Sequence, residues 1–138
     1  MPNYRVILYH KQATSARTRF VKFAEDTIFA FGPVVQLSQI QERDDDNTRV
    51  HPAAVMQHTE ALLGLDAGCL KAEPEYQHSI EVPGGNIHVL LANITTIDPP
   101  FDAVAKVGAS FIDLTQARGL PPIELELLRY AYELILGG

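Results

Sequence analysis

At 138 residues, 46% hydrophobic and 20% charged, the chain has the size and composition of a single folded domain, 1–138, which excludes a disordered polymer. A formal net charge of −6 excludes a binder of the nucleic-acid backbone, which needs clustered Lys and Arg. Cys69 is the single cysteine, so an internal disulfide framework is excluded and a reducing compartment is expected. The opening MPNYRVILYH lacks the long apolar core of a secretory signal, and no apolar run approaches the roughly 18 residues of a spanning helix. A cytoplasmic protein that engages neither membrane nor nucleic acid is the expectation.

In chain order, residues 4–10 (YRVILYH) are rich in β-branched and aromatic types and predict a strand. Ser15 is placed to cap a helix running to Phe31, which Gly32-Pro33 would stop. At 100° per residue Phe20, Val21, Phe23, Ala24, Thr27, Ile28 and Phe31 share one face, while Phe29 points away among Lys22, Glu25 and Asp26. Residues 34–41 (VVQLSQIQ) alternate as a second strand, followed by the polar loop ERDDDNTR. A second helix starts at Pro52, in the first-turn position that proline favours, and ends near Gly64. Its core face is Val55, Met56, Thr59, Leu62 and Leu63. Residues 66–75 look irregular. Two runs flanking Pro83-Gly84-Gly85-Asn86 then predict a β-hairpin over 76–94. A short helix around 102–108 follows the DPPFD break, and Pro121-Pro122 opens a last helix to about Leu136.

The order β-α-β-α-β-β-α-α implies a parallel crossover between the first two strands, with the hairpin extending the same sheet. The expected fold is α+β, a mixed sheet of about four strands with helices packed on it. A ferredoxin-like sheet with an inserted helix is the alternative.

Parallel first strands would bring His10, Ser15, Arg17 and Arg19 to one carboxyl edge, together with Asp44, Asp45 and Asp46. Arginines in a first helical turn oppose the helix dipole and want a negative partner. These four residues therefore form a candidate anion-binding site for a phosphate or carboxylate. The plainer reading pairs Arg17 and Arg19 with the acidic cluster, and the absence of a glycine-rich phosphate loop favours it. His51 and His58 stand seven residues apart, too far on one helix to share an ion, so no metal and no cofactor is expected. In the hairpin, pairing Val82 with Ile87 sets Glu81 opposite His88 as a cross-strand charge pair. His78 falls on the apolar face with Ile80, Val82, Ile87, Val89 and Leu91. Cys69 has no neighbouring cation or histidine in sequence to activate it. Gly137-Gly138 reads as an ordinary helix stop.

In the last helix only Glu126, Arg129 and Glu133 form a clean polar stripe. A helix apolar nearly all round demands cover beyond one sheet face, and a second copy of the chain is the natural supplier. Leu127, Tyr130 and Ile135, with Phe29 on the first helix, make the expected dimer interface. The functional expectation is a non-catalytic binding or accessory protein acting as a homodimer. The alternative is a small enzyme acting on an anionic or phosphorylated small molecule at the carboxyl edge.

Overall fold

The computed structural model describes residues 3–34, 39–40 and 51–137. Its strands are β1 Tyr4–Lys11, β2 Thr18–Lys22, β3 Phe29–Ala30, β4 Gln39–Ile40, β5 Leu70–Ala72, β6 His78–Val82, β7 Gly85–Ile94 and β8 Ser110–Ile112. The helices are α1 Pro52–Leu63, α2 Phe101–Lys106 and α3 Pro122–Gly137. Among the described residues all eight strands join one open mixed sheet of order β4-β6-β7-β1-β2-β8, with β3 also on β1 and β5 also on β7. The fold is α+β, as expected, with a wider sheet than four strands.

Alternation along the central strand explains the layering. In β1, Ile7 and Tyr9 enter one core with Phe20, Ile80, Val89, Leu91 and the α3 residues Leu127, Leu128 and Ala131. Val6 and Leu8 enter a second core with Val21, Ala92, Ile94, Val55, Met56 and Leu63 of α1, and Val104 of α2. Successive strand residues point to opposite faces, so α3 covers one face and α1 with α2 the other.

The expected helix over residues 15–31 is replaced by strands. β1 and β2 form an antiparallel hairpin, Tyr9 opposite Phe20 and Lys11 opposite Thr18. Its connection is closed by the hydrogen bonds Gln12 N–H to Arg17 O and Ala16 N–H to Gln12 O, with Ala16 in the left-handed region at φ 55°. A sheet buried on both faces accounts for the misreading: Phe20, Ile28 and Phe29 fill one core and Val21 and Ala30 the other. Adjacent apolar residues in such strands imitate the clustering of a helix face. Phe29, expected to point outward, is fully buried.

The parallel partner of β1 is β7, with Tyr4 beside His88 and Tyr9 beside Asn93. Of the expected strand 34–41, Gln39–Ile40 pairs antiparallel with β6 at the sheet's edge. Residues 35–38 and 41 lie outside the described residues. α1 follows its sequence signals: Pro52 opens it and Gly64 closes it at φ 65°, where a side chain would strain the backbone. Leu62, however, is 41% exposed rather than in the core. The hairpin of β6 and β7 is present, two residues out of the expected register. Pro83-Gly84 turns the chain alone, with Gly84 at φ 93° in the second central position, and Ile80 lies opposite Ile87. A two-residue slide preserves every face, so Ile80, Val89 and Leu91 are core as expected. It removes the expected opposition of Glu81 and His88, for Glu81 faces Asn86 and His88 faces Ser79.

Candidate functional site

Because β1 and β7 run parallel, both deliver their carboxyl ends to one edge of the sheet, the position where ligands collect in open α/β sheets. The edge has two sides. On the side covered by α1 and α2 lies His10, fully buried. Its Nε2 lies 2.7 Å from the Thr96 carbonyl, so Nε2 carries the proton and donates it. The other ring nitrogen, Nδ1, is buried without a hydrogen-bond partner among the described residues. Arg19, directly across the ladder from His10, donates to Gln12 Oε1 at 3.2 Å and lies over the Phe101 ring at 5.7 Å. Gln12 in turn reaches Asp98 at 3.4 Å.

The other members of the expected anion site are elsewhere. Ser15 sits exposed in the hairpin connection, its hydroxyl accepting the Arg17 N–H at 3.4 Å. Arg17, expected to face inward, is on the surface and grips Asp113 through two hydrogen bonds of 3.2 and 2.9 Å. Those bonds hold the Asp113 carboxyl below its ordinary value, the charges of Arg17 and Arg19 adding to the effect. The partner of Arg17 thus comes from the segment after β8. Asp44, Asp45 and Asp46 lie outside the described residues. Among the described residues no group of three or more His, Cys, Asp or Glu gathers as a metal site. His51 precedes α1, exposed, whereas His58 hydrogen-bonds Tyr4 and packs on Phe31 at 4.4 Å.

On the α3 side of the same edge is a cavity of about 390 Å³ lined by Tyr9, Lys11, Glu73, Pro74, Glu75, Leu134 and Ile135. Strand alternation places Tyr9 and Lys11 on this face. β5 runs antiparallel along the edge of β7 away from β1, and Glu73, whose N–H bonds the Leu91 carbonyl of β7, reaches across that strand with its side chain to Tyr9. The Tyr9 hydroxyl donates to Glu73 Oε1 at 2.6 Å. Burial, the Glu73 hydrogen bond and the Glu73 charge together push the Tyr9 phenol well above its ordinary value, so it stays protonated. Lys11 and Glu75 form no ion pair with each other or with other described residues. Leu134 and Ile135 of α3 supply an aliphatic wall. Nothing in the local sequence marked this cavity, because Glu73 lies in the stretch that reads as irregular and meets Tyr9 only through the sheet.

The expected interface residues divide. Leu127 is fully buried and its carbonyl accepts the Tyr76 hydroxyl at 2.7 Å, so this chain covers it unaided. Tyr130 is half-buried, stacked 4.9 Å from the His78 ring and hydrogen-bonded to Glu126. Ile135 is half-buried at the cavity wall. Glu124, which sequence reasoning passed over, is only 1% exposed in the first turn of α3. Its two oxygens accept the Ile28 N–H at 2.7 Å and the Thr27 hydroxyl at 2.9 Å, tying α3 to the chain before β3. The Cys69 thiol is pushed up from its ordinary value by burial and by the nearby Glu60 carboxylate.

No helix among the described residues is long and apolar enough to cross a membrane. No protein-family model matches the chain, and no curated protein matches it in sequence.

Proposed function

We propose that the chain is a non-catalytic binding protein that takes a small molecule in the cavity at the carboxyl end of β1. The supporting observation is the combination in one hollow of about 390 Å³ of a fixed Tyr9–Glu73 pair, two charges without an ion-pair partner among the described residues, and an aliphatic wall. Volumes of roughly 300–1,000 Å³ with a few convergent polar groups on apolar walls are typical of small-molecule sites. Tyr9 and Glu73 satisfy each other, which suits holding a ligand better than transferring a proton. A thermal-shift screen of amino acids, nucleotides, phosphate and divalent metals tests this reading, since a ligand stabilises the state it binds. At least one compound should raise the Tm of the native chain and leave Ile135→Trp, with its cavity filled, unmoved. Equal shifts in both proteins, or no shift from any compound, overturn the reading.

The homodimer belongs to the same proposal in reduced form. With Phe29 and Leu127 inside the fold, the contact would use the outer side of α3, around half-buried Tyr130 and Ile135 and 61% exposed Leu136. A second reading, an enzyme acting on an anionic small molecule at the opposite side of the edge, is favoured by the unpartnered His10 Nδ1 beside Arg19. Stabilisation by inorganic phosphate that Arg19→Gln abolishes would support it, and phosphate indifference would remove it.

A further inference from the structure

We infer that the ligand of this cavity is a small zwitterion with an aliphatic body, an inference that rests on the binding reading above. Lys11 and Glu75 carry opposite charges into one hollow and are not joined to each other. Opposite charges that line a shared cavity without pairing are both satisfied by one molecule carrying an ammonium and a carboxylate. Glu73 adds direction. Its Oε1 is taken by the Tyr9 hydroxyl, which fixes the carboxylate at the cavity wall and leaves Oε2 to accept from the ligand. Two carboxylates, Glu73 and Glu75, therefore receive the ammonium end, and Lys11, the one cation among the described lining residues, receives the carboxylate end. Between them Leu134 and Ile135 offer contact to methylene or methyl groups and to nothing polar. A nucleotide or a phosphorylated sugar would set its negative charge against two carboxylates facing one lysine. A simple amine would leave Lys11 unanswered, and a simple carboxylic acid would leave Glu73 and Glu75 unanswered.

Isothermal titration calorimetry on the full chain with four probes tests the class. L-Leucine and 6-aminohexanoate are zwitterions of short and long charge separation, while pentylamine and hexanoate carry one charge each. One zwitterion should bind at least tenfold tighter than either singly charged probe. Lys11→Met should erase its advantage over pentylamine, and Glu75→Gln should reduce its advantage over hexanoate. Both positions are exposed, so neither change threatens the fold. Equal binding of pentylamine and the zwitterions would overturn the inference in favour of a plain cation site and leave the binding reading standing. The same holds if only a compound of another class, found in the thermal-shift screen, occupies the cavity. Failure of every probe and every screened compound would overturn both.

Discussion

Glu124 is a carboxylate sealed inside the fold, and burial pushes its proton affinity above that of an ordinary glutamate, against the pull of the hydrogen bonds from Ile28 and Thr27. The native state therefore holds this proton to higher pH than the unfolded chain does. Stability should fall as pH rises from the ordinary glutamate value through the raised one, and recover below it. Glu124→Gln cannot titrate, so the stability of the native chain minus that of the variant should decline across that interval in urea melts. A difference that is flat or rising with pH would contradict the assignment. Glu124→Ala leaves the Ile28 N–H and Thr27 hydroxyl unpaired and should cost about 2–4 kcal/mol. Arg17 is the counter-case. Its pair with Asp113 is solvent-exposed on both sides, so Arg17→Ala should lower Tm no more than Lys22→Ala, whose partner is the exposed Asp26. A markedly larger drop for Arg17→Ala in differential scanning calorimetry would mean that the pair anchors the β1–β2 hairpin.

Elements whose pattern is set by their own few neighbours were the ones legible in the sequence. α1 has Pro52 and Gly64 as punctuation, α3 follows Pro121-Pro122, and the β6–β7 runs alternate around Pro83-Gly84. β2 and β3 are buried on both faces, and their contiguous apolar residues carry no period that distinguishes a strand from a helix. β5 and β8, three residues each, are too short to show a period at all. The candidate cavity was hidden for another reason: Tyr9 and Glu73 meet because β5 sits beside β7 and β7 beside β1, a pairing that no local pattern encodes. The apolar girth of α3 predicts cover all round from a second copy, whereas this chain itself buries Leu127, Leu128 and Ala131 and leaves Tyr130 and Ile135 half-buried and Leu136 exposed. Leu127→Glu should therefore prevent folding, because an unpaired charge would enter a fully buried site. Leu136→Glu, at 61% exposure, should still fold and melt cooperatively. Equal tolerance of both by circular dichroism melts would place Leu127 outside the core.

At the scale of the whole molecule, the remaining question of a second copy has a direct measurement. A homodimer held by the outer side of α3 should sediment at twice the monomer mass at tens of micromolar and dissociate in Leu136→Glu. A monomer at that concentration would confine the function to one chain. The central position of β1 carries a separate consequence, for the time course of folding. This strand comes long before β7 in the chain, yet one of its edges is completed by β7, with Tyr4 beside His88 and Tyr9 beside Asn93. Contacts so distant along the chain require a large loop to close before they contribute, and such topologies fold slowly. During synthesis β1 leaves the ribosome before β7 and waits, with one edge unmatched, until residues 85–94 have followed. β2 and β3 can pair with β1 in that interval, and together they cover the other edge, β2 at Tyr9–Lys11 and β3 at Val6 and Ile7, of a strand that would otherwise recruit a neighbouring nascent chain.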